Sequence, residues 1–394
     1  MVHNFIYYTP TKVVFGKNTE KETGKLVREQ GCQKVLIVYG GGSVVRSGLL
    51  DRVKEVLTEA EVAFIELGGV VPNPHLSKVY EGIDAAKKFG AQLILAVGGG
   101  SVIDTAKAIG YGVANEGDVW DFYDFKRQPK ACLPIGVVLT IAATGSEMSD
   151  SSVITKEEGG LKRACNTNLA RPVFAVMNPE LTETLPDYQT ACGCSDIIMH
   201  TLERYFTNGD KMEITDALAK GVIQTTMQQA VILRDNPKDY DARAEVLWTG
   251  SLSHNGLTGC GNTNNDFASH RLEHEIGGMF DVAHGAGLTA IWGSWARYVY
   301  KDCLPRFHKF AVDVMGIIDQ GSAEEVALKG IAAMEAFFTS IKMPTNLHQL
   351  GINPTEEQLK ILAHKCSITT HDNLGSAKVL HEADMLAIYQ AANQ

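Results

Sequence analysis

The sequence predicts an α/β N-terminal domain built on a parallel sheet, followed by an all-α C-terminal domain. The chain has 394 residues, more than the roughly 250 to 300 at which a single core stops growing. Short β-branched runs alternate with amphipathic stretches through residues 1–180, and long helical periodicities fill residues 181–394. Strand, turn and helix repeated in this order indicate parallel βαβ units. The proline-flanked segment NPELTETLP contains the expected boundary.

Apolar runs of four to eight residues, bounded by glycine or proline, are typical of buried strands. In chain order the predicted sheet strands lie within KVLIVYGGGS, VAFIELGG, LILAVGGGS, PIGVVLTIAAT and PVFAVMNP. Between them we expect helices near residues 48–59, 75–89 and after the second GGGS, and SSVIT reads as a short hairpin strand. The C-terminal half shows helical periodicity at residues 190–207, 215–233 and 242–257.

Composition excludes several classes of function. The net charge is -10 and the basic residues are scattered, which argues against nucleic acid as a partner. No apolar run reaches the roughly 18 residues of a membrane-spanning helix, and the opening MVHNFIYYTPTK lacks the apolar region of a secretion signal. The eight cysteines include no C-x-x-C pair, as expected for free thiols in a reducing compartment. We therefore expect a cytoplasmic protein.

Two glycine turns each follow a predicted strand and precede a helix, where backbone N–H groups can bind an anion. Their residues are Gly40, Gly41, Gly42 and Ser43 in the first turn, and Gly98, Gly99, Gly100 and Ser101 in the second. Neither turn is G-x-G-x-x-G, because Val45 and Ile103 occupy the third glycine positions. One such turn could be simply a tight connection between a strand and a helix. Two in one sheet favour a long ligand such as a dinucleotide.

The first turn also bears on which dinucleotide binds. NAD enzymes usually place an acidic residue after this strand to bind the ribose hydroxyls, whereas this chain has glycines, Ser43 and Arg46. The absence of a repelling carboxylate favours NADP, with NAD as the alternative. In the second turn, Asp104 lies one helical turn into GGGSVIDTAK. It could accept a hydrogen bond from the ligand or simply complement the helix dipole.

The C-terminal half contains a candidate metal site. Asp196 and His200 are spaced i, i+4, as are His270 and His274, and His284 follows at the head of an apolar helix. Imidazoles with one carboxylate suit Fe(II) or Zn(II). Either pair alone could be an ordinary helix-surface contact. The run HRLEH also matches the H-x-x-E-H pattern of inverted zinc peptidases, in which Glu273 would be the general base.

Several of these motifs together resemble the iron-containing alcohol dehydrogenase family. They are GGGSVIDTAK, TIAATGSEMSDSSVIT, the D-x-x-x-H at Asp196, the H-x-x-x-H at His270, and the H-G at His284, with PNP and NPELTETLP as lesser matches. YGGGSVVRSG and SHRLEHEI resemble the butanol dehydrogenase and aldehyde reductase branch. The resemblance implies a Rossmann-like dinucleotide-binding domain, a helical metal-binding domain and a dehydroquinate synthase-like architecture, with the catalytic site in the cleft between domains.

The resemblance also assigns residues. The metal ligands would be Asp196, His200, His270 and His284, with His274 near substrate and nicotinamide. Gly98 to Ser101 would bind the pyrophosphate and Asp104 would lie near the nicotinamide. Further cofactor contacts would come from Asn73, Thr140, Thr144, Ser146 and Lys162. Family members often dimerise through N-terminal strands, and residues 5–8 could serve in a homodimer.

The implied function is an NAD(P)H-linked alcohol dehydrogenase or aldehyde reductase for short aliphatic substrates, with hydride transfer to a carbonyl polarised by Fe2+ or Zn2+. Glycerol or polyol dehydrogenases and dehydroquinate synthase-like lyases are the alternatives on the same fold. Phe267, Leu272, Met279 and Phe280 around His270 favour an uncharged substrate. A non-catalytic metal or nucleotide binder should lack part of the site, whereas all four candidate ligands are present.

Overall fold

The computed structural model describes residues 2–208, 212–262 and 264–394. The chain forms two compact units, one of residues Tyr8–Leu185 and the other of Pro186–Gln394 with the segment up to Tyr7. These are called the sheet unit and the helical unit below. The sequence-based domains, a dinucleotide-binding domain of residues 1–180 and a helical metal-binding domain of residues 181–394, remain a prediction.

The sheet unit contains one six-stranded parallel sheet in the order β1-β8-β5-β4-β2-β3. Its strands are β1 (Lys12–Phe15), β2 (Lys34–Gly40), β3 (Ala63–Val70), β4 (Leu93–Gly98), β5 (Ile135–Leu139) and β8 (Phe174–Met177). The five predicted strands all belong to it, since β-branched runs such as VLIV are buried on both faces. The edge strand β1 was not predicted, because KVVF is short and half-exposed.

Helices connect these strands and cover the sheet. They are α1 (Thr23–Glu29), α2 (Ser43–Arg46), α3 (Leu49–Glu59), α4 (Leu76–Phe89), α5 (Gly100–Ala114) and α6 (Trp120–Tyr123). Helix α3 buries Leu49, Leu50, Val53 and Leu57, which recur at helical spacing and pack with strands β2 and β4 in one core. Helix α4 ends at Gly90, whose φ of 72° is left-handed, a common helix stop.

A hairpin leaves the sheet and packs beside α5. Strand β6 (Ser151–Lys156) pairs antiparallel with β7 (Leu161–Asn166), as SSVIT had suggested. The backbone N–H of Thr155 donates to the carbonyl of Pro74 over 2.8 Å, and Thr155 pairs with Lys162 across the hairpin. The hairpin therefore brings the loop before α4 and the strand containing Lys162 together.

The helical unit contains α7 (Asp187–Tyr205), α8 (Glu213–Asp235), α9 (Tyr240–His254), α10 (Ala268–Phe280), α11 (His284–Val299), α12 (Leu304–Lys309), α13 (Ala323–Ser340), α14 (Glu356–Thr370) and α15 (Glu382–Ala392). Helices α13 and α14 begin with capping boxes, Ser322 with Glu325 and Thr355 with Gln358. Within the described ranges, none of the helices has the length and apolar character needed to cross a bilayer.

An aromatic core fixes helices α7 and α11. Trp295, Phe206 and Phe307 are fully buried, and the rings of Phe206 and Phe307 stack with centroids 4.1 Å apart. Phe310 meets Phe206 edge to face at 5.1 Å. Each buried aromatic ring contributes a large apolar area and a preferred ring geometry. This packing holds the C-terminal end of α7 against α11, the two helices that carry three of the predicted metal ligands.

Candidate functional site

Three helices of the helical unit bring one carboxylate and three imidazoles together. Asp196 and His200 lie one turn apart on α7, His270 lies in the first turn of α10, and His284 is the first residue of α11. The side chains of Asp196, His200 and His270 are almost fully buried, and that of His284 is 24% exposed. The predicted i, i+4 spacing therefore places both α7 residues on one inward-facing side of the helix.

The donor atoms surround a single oxygen. Oδ1 of Asp196 lies 3.4 Å from Nδ1 of His200, 3.5 Å from Nε2 of His270 and 3.7 Å from Nε2 of His284. Tetrahedral ligands at about 2.1 Å from a zinc ion lie about 3.4 Å from one another. Within the part of the chain that the structure describes, Asp196 Oδ1, His200 Nδ1 and His270 Nε2 are buried without a hydrogen-bond partner, which is costly. A divalent cation would remove that cost, so the donor set fits one.

The four predicted ligands are not equivalent. Atoms of Asp196, His270 and His284 all lie within 4.8 Å of one another. His200 is outside that group of three and approaches it through Asp196 and through the ring of His270, whose centroid is 4.4 Å from its own. The triad of Asp196, His270 and His284 thus forms the tightest part of the cluster.

Two buried glutamates orient two of the imidazoles. His270 donates both its ring Nδ1–H and its backbone N–H to Glu203, the latter over 3.0 Å. His284 donates its Nδ1–H to Glu273. Neither glutamate side chain is exposed. Carboxylates in this position fix the orientation of a metal-binding histidine and raise its basicity, so both rings direct Nε2 toward Asp196.

Burial and nearby charges set the protonation of the imidazoles. Burial lowers the pKa of His200 well below its usual range, and the rings of His254 and His270 act in the same direction. Burial also opposes charge on His270, but the carboxylates of Glu203 and Asp196 raise its pKa to about 9. His200 is therefore neutral with a lone pair available, and a cation would replace a proton at His270.

Helix α10 begins at a buried anchor. Asp266 accepts hydrogen bonds from the backbone N–H groups of Ala268, Ser376 and Ala377, over 2.7 to 3.0 Å. Burial raises the pKa of Asp266 to about 7, against the lowering effect of those N–H groups. The next residue, Phe267, adopts a left-handed φ of 52°, rare for a bulky side chain. This start fixes the direction of α10 and hence the position of His270.

Glycines let α11 approach its neighbours. A Cβ atom on Gly285 would lie 2.1 Å from the carbonyl oxygen of Cys192 on α7, and one on Gly287 would lie 2.8 Å from Cγ of Glu273. Any larger residue at either position would push α11 away from α7 or α10. The H-G-A-G sequence therefore allows His284 to reach Asp196 and Glu273.

The inverted zinc peptidase hypothesis does not agree with this geometry. Glu273 is fully buried and its carboxylate binds the ring of His284, so it supports an imidazole and is not placed as a general base. His274, the second histidine of that pattern, is buried with its ring centroid 5.9 Å from that of His284. It adjoins the cluster as the family resemblance implied.

In the sheet unit, the two glycine turns end neighbouring strands β2 and β4. Val102 lies against both turns: a Cβ atom added to Gly98 would be 2.6 Å from Cγ2 of Val102, and one added to Gly40 would be 3.8 Å from it. Carboxyl ends of adjacent parallel strands are where nucleotides bind in open α/β sheets. The sequence motif alone did not show that the turns are adjacent, and the sheet order does.

The second turn packs closely against the loop that follows β5. A Cβ on Gly99 would lie 2.1 Å from Ile141, and one on Gly100 would lie 2.5 Å from Thr144. The N–H of Thr140 donates to the carbonyl of Gly98 over 3.1 Å. Thr140, Thr144 and Ser101, three predicted cofactor contacts, are therefore gathered at one half-buried place.

A buried polar network joins α5 to this loop and the hairpin. Asp104 accepts from the hydroxyl of Ser146 at 2.6 Å and from the N–H of Val153 at 3.0 Å. Lys107 donates to Ser146 Oγ at 2.9 Å and to the carbonyls of Ser149 and Ser151 at 3.0 and 2.7 Å. Burial lowers the pKa of Lys107 to about 8. Asp104 and Ser146 thus already bind protein groups in this structure.

The first turn is more open. Gly42 has a φ of 119° and precedes the four-residue helix α2. Gly41, Ser43 and Arg46 are exposed, and a terminal nitrogen of Arg46 lies 3.2 Å from a Cβ built on Gly42. A guanidinium beside an exposed glycine turn is a suitable place for a phosphate.

The remaining predicted cofactor residues lie around the hairpin. Asn73 is half-buried with a left-handed φ of 51°, next to the Pro74 carbonyl that binds Thr155. Lys162 is buried on β7, opposite Thr155. The hairpin contacts α5 through Asp104, which connects these two residues to the second turn.

Sequence reasoning missed several residues of the site. Glu203 continues the series Asp196 and His200 at helical spacing on the same face of α7, so the pattern D-x-x-x-H-x-x-E could have indicated it. His254, which contacts His200, carries no such signal, because it lies on α9 and meets α7 only in the folded unit. Arg204 follows His200 by four residues on α7, so the same helical spacing could have indicated it.

The comparisons with known proteins agree with this geometry. Residues 10–179 match the iron-containing alcohol dehydrogenase family, and residues 190–393 match its C-terminal region. The probable NADH-dependent butanol dehydrogenase 2 of Bacillus subtilis is 38% identical, over 99% of this chain and 100% of its own. The NADPH-dependent aldehyde reductase YqhD of Escherichia coli is 34% identical, over 89% and 90%.

A solved structure is similarly close. The crystal structure of NADH-dependent butanol dehydrogenase A from Thermotoga maritima superposes with a TM-score of 0.96 at 37% identity, covering 100% of this chain and 99% of that one. The predicted order of an α/β domain and a helical region is confirmed, as is the family resemblance. The chain belongs to the iron-containing alcohol dehydrogenase family and is an NAD(P)-dependent alcohol oxidoreductase.

Proposed function

We propose that this chain reduces short aliphatic aldehydes with NADPH, using a divalent metal held by Asp196, His200, His270 and His284. The observation that carries the proposal is the convergence of three imidazole nitrogens on one buried carboxylate oxygen, within 3.4 to 3.7 Å. When bound, Fe2+ or Zn2+ would supply Lewis-acid polarisation of the substrate carbonyl. Glu203 and Glu273 keep two imidazoles in the ligating orientation.

His274 is the proposed proton donor. It follows His270 by one turn of α10, is buried, and adjoins the ring of His284. An imidazole can hold and release a proton near neutral pH, which the reduction of a carbonyl to an alcohol requires. His274→Ala should therefore lower turnover while leaving the metal content unchanged.

NADPH is the proposed coenzyme because the exposed residues Ser43 and Arg46 lie at the first turn, which has no acidic residue. Relatives include both NADH-dependent butanol dehydrogenases and an NADPH-dependent reductase. A charge-assisted hydrogen bond contributes about 1.5 to 3 kcal/mol, so Arg46→Ala should lower the kcat/KM ratio of NADPH to NADH by about 10- to 150-fold. Arg28→Ala, an exposed arginine on α1, is the control. An unchanged ratio would reject the assignment to Arg46.

Short, uncharged substrates are supported by the names of the relatives and by the neighbourhood of His270. Phe267, Met279 and Phe280 on and beside α10 are half-buried and apolar, whereas Leu272 is buried in the core. Desolvating an aliphatic chain against such groups is favourable, and desolvating a phosphate there is not.

We further propose a cytoplasmic homodimer. Phe5, Ile6 and Tyr8 are 55%, 95% and 51% exposed, an unusual apolar run for a protein surface. All eight cysteines are free thiols, as expected in a reducing compartment. Light scattering should give a dimer mass for the native chain and a monomer mass for Ile6→Asp. A monomeric native chain would reject the dimer.

The experiment that tests the proposed reaction measures oxidation of NADPH and NADH with butanal, before chelation, after chelation, and after Fe(II) or Zn(II) is added back. We expect turnover that chelation abolishes, that metal restores, and that is faster with NADPH. Turnover with glycerol or another polyol but with no short aldehyde would overturn the substrate assignment. Full turnover after complete metal removal would overturn the role of the metal.

A further inference from the structure

The three histidines of the cluster are not held in the same way. Glu203 binds the second nitrogen of His270, and Glu273 binds that of His284. For His200, the only carboxylate within 4.0 Å of either ring nitrogen in the described ranges is Asp196, on the ligand side. Imidazoles that bind metals normally need a partner that fixes the ring. A different group must therefore orient His200.

The ring of His254 makes that contact. His254 is the last residue of α9, and its ring centroid is 4.0 Å from that of His200 with the planes tilted by 51°. This is a shorter distance than the 4.4 Å between the rings of His200 and His270. His254 is half-buried, so its ring covers one side of the otherwise buried His200 imidazole. Rotation of the His200 ring would collide with it.

Arg204 in turn holds His254. Its guanidinium donates to Nδ1 of His254 over 3.1 Å, to the carbonyl of His200 over 2.7 Å and to that of Ser253 over 3.2 Å. A guanidinium has only donors, so Nδ1 of His254 accepts, and the neutral ring carries its proton on Nε2. Because Arg204 follows His200 by one turn of α7, it links both histidines to one helix.

Phe267 closes the arrangement. Its ring lies 4.9 Å from the guanidinium carbon of Arg204 and meets the edge of His254 at 6.3 Å. It also contacts the ring of His270 at 5.5 Å. A cation over an aromatic face is attracted to it. The left-handed backbone of Phe267 at the start of α10 is strained. Its role is to place this ring in contact with Arg204, His254 and His270.

We propose that His254 is a positioning residue for His200. Fixed by Arg204 and Phe267, its ring limits the rotation of the His200 imidazole, whereas Glu203 and Glu273 orient the other two imidazoles through hydrogen bonds. The inference rests on the proposed metal ligands. Its consequence is that His254 controls the affinity and the ligand geometry of the metal without binding it.

Variants at His254 separate its ring contact from its hydrogen bond. His254→Phe keeps an aromatic ring against His200 and removes the acceptor for Arg204, whereas His254→Asn keeps an acceptor and removes the ring. His254→Ala removes both. The matched control is His364→Phe, because His364 is a 62% exposed side chain paired with Glu382 in the same unit. The probe is Co(II), measured by competition with a chromophoric chelator and by its visible absorption, alongside the Tm of the metal-free protein.

We expect His254→Ala to weaken Co(II) binding by about 10-fold or more, the range for such partner residues, and to alter the Co(II) spectrum. His254→Phe should keep a spectrum near that of the native protein even where its metal-free Tm falls, since the ring contact remains. His254→Asn should alter the spectrum. If His254→Ala fails to fold, the comparison of His254→Phe with His254→Asn still tests the inference.

Native Co(II) affinity and spectrum in both His254→Ala and His254→Asn would overturn the inference. So would a loss of affinity in His254→Phe equal to that in His254→Ala. The proposed function fails separately: it is wrong if Asp196→Asn binds Co(II) like the native protein, whatever the His254 variants do.

Discussion

Replacing Glu203 by glutamine tests how much a buried carboxylate contributes to the metal site. Glu203 has no exposed surface and accepts both the ring Nδ1–H and the backbone N–H of His270. Glutamine has nearly the same shape but only one accepting atom. If its carbonyl accepts from the ring, its NH2 group faces the backbone N–H, so one hydrogen bond and the negative charge are both lost.

The expected magnitude follows from these two contacts. Both hydrogen bonds are present without metal, and a hydrogen bond to a charged group contributes about 1.5 to 3 kcal/mol. The free energy of unfolding of the metal-free protein should therefore fall by about that amount in Glu203→Gln. The carboxylate also orients His270 and raises its basicity, and removing such a partner lowers metal affinity by about 10- to 100-fold.

The assay is competition for Zn(II) with a chelator of known affinity, together with thermal unfolding of the metal-free protein. Glu382→Gln is the control, because Glu382 also binds a histidine, His364, but 48% of its side chain is exposed. Surface pairs of this kind contribute about 0 to 1 kcal/mol, so the control should bind metal like the native protein. Equal Zn(II) affinity in Glu203→Gln and the native protein would refute the reasoning.

Two further predictions concern the sheet unit. In the folded protein the pKa of Lys107 is about 8, below its ordinary value of 10.5. Between pH 8 and 10.5 the unfolded chain therefore carries a proton on Lys107 that the folded chain has lost. As the pH rises from 8 to 10.5, the free energy of unfolding of the native protein should therefore increase relative to that of Lys107→Met by about 1.4 kcal/mol per pH unit. Denaturant titrations in which the difference between the two proteins stays constant or falls with pH would contradict this. Gly100→Ala should weaken NADPH binding by fluorescence titration, because its Cβ would lie 2.5 Å from Thr144 and overpacking costs about 1 to 3 kcal/mol. Adding Thr144→Ser, which removes one of the two crowding atoms, should restore part of the binding, and no restoration would contradict the steric explanation.

The sequence predicted the sheet well because burial and periodicity coincide there. Runs such as Leu93–Val97 are apolar on both faces, which only a covered parallel strand explains, and glycine at each end marks the turn. The edge strand β1 was not predicted, because it is half-exposed and its four residues, Lys12–Phe15, are too few to show a strand pattern. Strand order also could not be predicted, since it depends on crossovers between residues far apart in sequence.

At the site, spacing along the sequence predicts which residues lie together only where they share a helix. Asp196 and His200 are one turn apart, and this spacing alone places them on one face. The residue types suggested that His270, His274 and His284 join them, but the choice of His270 and His284 as ligands came from family resemblance, because no spacing rule relates residues on three helices. Contacts that depend on packing between helices, such as His254 on His200, could be seen only in the folded chain. The hydrogen bonds of Lys107 could not be predicted either, since their acceptors lie about 40 residues away along the chain.

The central claim is that Asp196, His200, His270 and His284 form one metal site. Its most direct test is the metal content of each purified variant after loading with Zn(II) and gel filtration. The native protein, His274→Ala and the exposed-surface control His364→Ala should each retain one metal ion per chain, whereas Asp196→Asn and His270→Ala should retain almost none while keeping native circular dichroism. Stoichiometric metal in folded Asp196→Asn and His270→Ala would contradict the account.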